Sequence, residues 1–131
     1  MNEPVVIRKR VYVAGAITPT NPKKHPAIEY LENVSRFMAY GAYLYSIGFA
    51  PYVPALDILL ILHAPNIIQA RDCYAVSMAF LDACDAVLVL PHSENSIGTK
   101  NELEYAKKKG IPIFYSIEDL SEHFFGEDKN A

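Results

Sequence analysis

The chain has 131 residues, 51% of them apolar and 21% charged, with a formal net charge of −3 at pH 7. That is one domain's worth of chain with enough apolar material for a single core, which excludes a disordered tail protein. A mildly acidic chain without a Lys/Arg cluster is a poor partner for nucleic acid, because neutralising phosphates needs many cations on one face.

Arg8, Lys9 and Arg10 read as a solvated lead-in to a first buried strand over residues 11–17, which runs into a loop over 18–26. Residues 27–47 read as a helix with Ile28, Leu31, Val34, Met38 and Ala42 on its inner face and Gly48 as its C′ residue. A short strand over 49–53 follows, then a short apolar helix over 55–63 stopped by Pro65. Residues 67–84 read as a second long helix with an apolar face at Ile68, Cys73, Val76, Phe80 and Ala83. Residues 86–90 are the clearest buried strand, being continuous, β-branched and uncharged. A polar loop over 91–97, a helix over 99–109 ending at Gly110, a strand over 112–115 and a helix over 117–125 complete the order, with a frayed tail at 126–131.

Strands alternating with helices imply βαβ units with right-handed crossovers. The expected fold is α/β: a single Rossmann-like or flavodoxin-like three-layer domain over residues 1–131, with a mainly parallel sheet of four to five strands. In such sheets ligands sit at the carboxyl ends of the strands, here the loops after Ile17, Val53, Leu90 and Tyr115.

Glu3 near the N-terminus with no apolar run after it argues against a signal peptide. The apolar stretch over 55–68 is broken by Asp57, His63 and Pro65 and is too short to span a bilayer, so no membrane association is expected. That stretch is a candidate pocket wall or interface helix, or ordinary core. Cys73 and Cys84 are too few for a disulfide scaffold and read as buried free thiols, in keeping with a cytoplasmic setting. The four histidines do not cluster and no metal motif is present, so neither metal nor cofactor is expected. Tyr30, Tyr40, Tyr43 and Tyr45 occupy more than one face of the first long helix, as a subunit interface or as packing beneath loops.

The most informative segment runs from Ser93 to Glu102. A loop of small residues entering a helix offers free backbone N–H groups and the positive end of a dipole, suited to a phosphate or a sugar hydroxyl. Glu102 lies one turn into that helix and can face a ligand there. Thr99 and Glu102 also have the spacing of a capping box, in which the glutamate returns to the cap's own N–H. On the first strand, Gly15 permits close backbone approach, and Tyr12 reads as a core tyrosine. The pattern is not GxGxxG, which leaves a dinucleotide site unsupported.

Three segments together resemble the nucleoside 2-deoxyribosyltransferase-like superfamily, which includes deoxyribosyltransferases and deoxynucleoside 5′-monophosphate N-glycosidases. They are VYVAGAI at 11–17, CDAVLVLP at 84–91, and SIGTKNE at 96–102 running on to Ala106 and then GIPIF at 110–114. The chain resembles the small uncharacterised bacterial and phage members more than the proven enzymes. The resemblance implies cleavage or transfer at the N-glycosidic bond of a nucleoside or its 5′-monophosphate through a covalent glycosyl-enzyme. Glu102 then matches the nucleophile and Tyr12 the tyrosine that orients it. Gly15, Ala16 and Ile17 match the loop along the nucleotide, and Ser96 and Gly98, with Thr99 beside them, the sugar's 5′ side. Ser77, followed by Met78, stands where the family carries an aspartate. An arginine of some phosphate-specific members is replaced by Thr18, and Lys23, Lys24 or His25 could supply a cation instead. The helix N-terminus would hold Glu102 ionised. A homodimer or homotetramer is implied, with a small-molecule nucleoside or nucleotide as partner. Two other readings stay open: a nucleotide-binding or sensing module impaired in catalysis, and a phosphoribohydrolase of the lysine-decarboxylase-like group, whose Pro-Gly-Gly is missing here.

Overall fold

The computed structural model describes residues 4–126. Its centre is a four-stranded, wholly parallel sheet with strand order β2-β1-β3-β4. The strands are β1 (Arg10–Ala14), β2 (Ala50–Tyr52), β3 (Ala86–Val89) and β4 (Ile113–Phe114). The helices are α1 (Pro26–Ser46), α2 (Asp57–His63), α3 (Ala70–Asp82), α4 (Ile97–Lys109) and α5 (Ile117–Phe125), with a 3-10 turn Pro54–Leu56 leading into α2. This is the α/β class expected, and the strand order is that of a flavodoxin-like sheet.

Strand alternation builds the layers, because successive side chains point to opposite faces. Val11 and Val13 of β1, with Ala86 and Leu88 of β3, pack against Phe37 and Leu44 of α1 and Leu120 of α5. Tyr12 and Ala14, with Val87 and Val89, pack against Leu81 of α3 and Ala106 of α4. Both faces of the two central strands are therefore covered, which is why 86–90 reads as an unbroken apolar run. The chain winds outward from β1 to β2 on one side and from β3 to β4 on the other, so the reversal falls between β1 and β3. The carboxyl ends of those two strands are the natural binding crevice.

Several boundaries and faces differ from the sequence reading. The first strand ends at Ala14, and 15–17 already belong to the loop. The inner stripe of α1 is Asn33, Phe37, Gly41 and Leu44, whereas Ile28 and Leu31 are exposed and Val34 and Met38 are only partly buried. Two inner positions are not apolar. Asn33 donates to the Ile17 carbonyl at 2.9 Å, and a Cβ at Gly41 would come within 2.8 Å of Val53 Cγ2. In α3 the deep positions are Ser77 and Leu81, and Val76 and Phe80 are exposed. Arg8, Lys9 and Arg10 are exposed, in keeping with a solvated lead-in, but Arg8 is also anchored. Its guanidinium donates to the carbonyls of Tyr45 at 2.8 Å and Phe49 at 3.1 Å, and lies over the Tyr45 ring, a cation at the carboxyl end of α1. Gly48, at φ 106, closes that helix in a Schellman arrangement. The α5 limits agree with the sequence, and Gly126, placed in the frayed tail, is buried; 127–131 lie outside the described residues.

The revised face of α1 makes a direct stability prediction. Phe37→Ala should cost about 3–5 kcal/mol of folding free energy, because it empties the core beneath β1 and β3. Leu31→Ala should cost about 0.5 kcal/mol or less. Urea titrations of the two variants check this, and equal losses would restore the periodicity-based face.

Candidate active site

The crevice between the β1 and β3 loops is a cleft of about 550 Å³. Its base is laced together by Ser93, which is buried. The Ser93 hydroxyl donates to the Leu90 carbonyl at 2.8 Å and accepts from the Ala16 amide at 3.3 Å, while the Leu90 amide donates to Ala14 at 2.8 Å. Gly15 lets the chains approach closely at this crossing: a Cβ there would meet Leu90, Phe37 and Ser93 atoms at 3.1–3.2 Å, tighter than ordinary van der Waals contact.

Tyr12 points into the α3/α4 layer because its neighbours Val11 and Val13 point into the other. Its ring stacks on that of Tyr52, its register partner on β2, which stacks in turn on Phe80 at 4.6 Å. Held this way, the Tyr12 hydroxyl donates to Glu102 Oε2. Both residues are buried and both line the cleft. Burial raises the Glu102 carboxyl to about 7, against an opposing contribution from the Tyr12 hydrogen bond. Burial, and then the Glu102 charge, push the Tyr12 hydroxyl far above the ordinary tyrosine range. The expectation that the helix terminus keeps Glu102 ionised is thus corrected. Glu102 is the sixth residue of α4, beyond the first turn where the dipole acts, and desolvation prevails.

The capping-box reading of Thr99 and Glu102 is also overturned. The helix starts at Ile97, not Thr99, and its cap is Ser96, whose hydroxyl accepts from the Thr99 amide at 3.2 Å. Glu102 is thereby left to Tyr12. Thr99 is buried, and its hydroxyl is the one buried side-chain polar atom without a hydrogen-bond partner among the described residues. The first turn of a helix leaves N–H groups without helical partners. The Lys100 amide goes to the Ser96 carbonyl, and among the described residues nothing takes those of Ile97 and Gly98. A Cβ at Gly98 would meet nothing within 4 Å, so no packing calls for glycine there. The arrangement presents a buried carboxylate, an unsatisfied hydroxyl and a helix start to one cavity.

Of the residues singled out in the sequence, Tyr12, Gly15, Ala16, Ile17, Ser77, Ser96, Gly98, Thr99 and Glu102 all line this cleft. Met78 does not. One residue along a helix is a turn of about 100°, which carries Met78 from the cleft to the core beside Tyr12 and Leu81. The substitute cations fail as well: Lys24 pairs with Glu32 at 3.3 Å, the His25 ring caps α1 at Ala27, and neither they nor Lys23 line the cleft. The 55–68 segment supplies a wall through Ala55, Asp57 and Ile61, continued by Pro54 before it, with Leu59, Leu60 and Leu62 exposed.

The sequence reading missed Asp57, treated only as a break in an apolar run. It stands at the cleft wall, accepting from the Ser77 hydroxyl at 2.9 Å and from the Tyr52 hydroxyl at 3.5 Å. His92, in the loop after Leu90 that was expected to face a ligand, does line the cleft, from a left-handed backbone at φ 64, a conformation that costs a non-glycine residue about 1 kcal/mol. Among the described residues no group of three or more His, Cys, Asp and Glu could hold a metal ion, and no helix is long and apolar enough to cross a membrane.

Residues 9–115 match a family described as a domain of unknown function, DUF4406. The chain belongs to that family. The DUF4406 match runs from the entry of β1 past the end of β4, so the cleft, Tyr12, Asp57, Ser77 and Glu102 all lie within it and α5 lies outside. No curated protein matches the chain.

The buried glutamate has a pH signature in folding. Its folded-state value, about 7, lies above the ordinary 4.5, so the folded protein holds this proton more tightly than the unfolded chain does. The associated stabilisation is complete below about 4.5 and is lost as pH rises through about 7. Glu102→Gln keeps an acceptor for Tyr12 but cannot ionise. It should gain on the wild type by up to about 3 kcal/mol as pH is raised from 4.5 to 8. Urea midpoints of both proteins across that range test this, and a constant difference contradicts a buried, proton-holding Glu102.

Proposed function

We propose that the protein cleaves, or transfers at, the N-glycosidic bond of a nucleoside or its 5′-monophosphate, with Glu102 as nucleophile. The observation that carries this reading is the Tyr12–Glu102 pair, a buried carboxylate held by a tyrosine hydroxyl in the crevice between β1 and β3. A carboxylate with little water around it is reactive toward a carbon bearing positive charge, and the Tyr12 hydrogen bond fixes which oxygen is free. Sequence resemblance supplies the reaction class, and the cleft supports it with separate regions for sugar and base. The Thr99 hydroxyl and the first amides of α4 suit the sugar's 5′ side. The wall formed by Pro54, Ala55 and Ile61 suits a flat heterocycle.

In this mechanism the C–N bond breaks through an oxocarbenium-like state. Its electron pair leaves with the base, which takes up a proton from water, and the free Glu102 oxygen bonds to the anomeric carbon. Water then attacks that carbon, the bond to Glu102 breaks with its electron pair returning to the carboxylate, and the water's proton goes to solvent; a second base that attacks instead loses its own proton in the same way and completes transfer. The reading includes a cytoplasmic homodimer or homotetramer. The unpaired Cys73 and Cys84 support the compartment, and the exposed leucines of α2 support a subunit contact beside the cleft.

Chromatography of free base released from a panel of deoxynucleosides and their 5′-monophosphates tests the proposal. Release is expected from at least one member, to fall about a thousandfold or more in Glu102→Ala, and to show a kcat/KM that rises with pH through about 7, where Glu102 ionises. Release that survives in the variant, or that is flat from pH 5 to 8, overturns the assignment.

A further inference from the structure

The charges of the cleft are one-sided. Two carboxylates line it, Asp57 at the start of α2 and Glu102 on α4, and among the described residues no Lys or Arg does. His92 is the one basic side chain in the lining. Lys100 follows Thr99 in the chain, but it lines a neighbouring hollow together with Glu94. Neither carboxylate has a cation of its own. Asp57 accepts from the hydroxyls of Ser77 at 2.9 Å and Tyr52 at 3.5 Å, and Glu102 accepts from the Tyr12 hydroxyl. Among the described residues neither takes part in an ion pair. Both are held by neutral groups, so their charge acts on whatever enters.

We propose that the cleft selects an uncharged nucleoside over its 5′-monophosphate, with Asp57 and Glu102 as the groups that reject the phosphate. The inference narrows the reading above and rests on it for the nucleoside. A phosphate monoester carries a charge of about −1.5 to −2 near neutral pH. The start of α4 offers it the positive end of a helix, about half an elementary charge. Two uncompensated carboxylates in a cleft of about 550 Å³ outweigh that attraction, because like charges repel more strongly where water is partly excluded. A 5′-hydroxyl meets the same groups without the repulsion. It both donates and accepts, as the unpartnered Thr99 hydroxyl does, so the two can pair in either sense. The polar side chains of the surrounding loops, Thr18, Thr20, Asn95 and Ser96, are uncharged as well.

Titration calorimetry tests the selection apart from turnover. The probes are carbocyclic analogues of the four deoxynucleosides and their 5′-monophosphates, whose ring carbon in place of oxygen prevents an oxocarbenium-like state and so prevents cleavage. The pH is 8, above the Glu102 value of about 7. For the base that binds best, the nucleoside analogue should bind at least about tenfold more tightly than its monophosphate. The readout is this ratio, so a general loss of fit in a variant cancels. Asp57→Asn should shrink the ratio about threefold or more. Thr18→Arg, which adds a cation at an exposed position of the lining, should shrink or invert it. A monophosphate that binds as tightly as its nucleoside, a ratio that Asp57→Asn leaves unchanged, or no binding by either class overturns the proposal. Thr18→Arg carries the test in the same way if Asp57→Asn fails to fold. Activity is read separately, as base released from the natural compounds. A nucleoside preference in a protein that releases no base upholds the selection and counts against the glycosidic activity, whereas base release with a preference for monophosphates does the reverse.

Discussion

The hydrogen bond from Tyr12 to Glu102 is the point at which the core of this protein becomes its site. A glutamate is almost never buried without a partner, because its ionised form is costly to remove from water. Here the partner comes from the central strand, and the strand can supply it only because β1 alternates Val11 and Val13 toward one layer and Tyr12 toward the other. The stack of Tyr12, Tyr52 and Phe80 then fixes the ring. The start of α4 is equally constrained: Ser96 caps it three residues before the expected cap, and that offset leaves Glu102 for the tyrosine.

Much of the architecture was legible in the sequence, and the reasons are local. The run 86–90 marks a strand buried on both faces, and the last helix reads in the sequence at 117–125, the limits it has, with Ser116 as the cap that the structure adds. The cleft's loops followed from the rule that parallel sheets bind at the carboxyl ends of their strands, whereas Tyr12 and Ser77 were singled out only through the family resemblance. The faces of α1 and α3 were not legible, because apolar periodicity assumes that inward positions are apolar. Asn33 turns inward to hold the Ile17 carbonyl, Gly41 to admit Val53, and Ser77 to meet Asp57. Each polar or small inward residue rotates the apparent stripe. Of these, Ser77 lines the cleft, Asn33 holds a loop residue that does, and Gly41 answers to packing alone. Asp57 was invisible for a related reason, since nothing in linear spacing connects the first residue of a two-turn helix to a serine on the next.

The cleft's electrostatics follow from the same layout. Burial acts on a carboxylate and a phenol together, so each is biased toward its neutral form, and the hydrogen bond between them offsets only part of that cost for Glu102. A group poised near neutrality can be a proton holder at one pH and a nucleophile at another. The unsatisfied Thr99 hydroxyl adds a second open demand in the same cavity. Buried polar groups in native proteins are nearly always paired, and this one faces the cleft.

The central claim is that Glu102 forms a bond to the sugar carbon, and covalent capture tests it most directly. Nucleosides and 5′-monophosphates bearing fluorine at the 2′ position slow the breakdown of a glycosyl ester by destabilising its oxocarbenium-like transition state. Intact-protein mass spectrometry after incubation with such a panel should show one added sugar-sized mass per chain, and peptide mapping should place it on Glu102. An adduct on another residue, or none across the panel, would contradict the account.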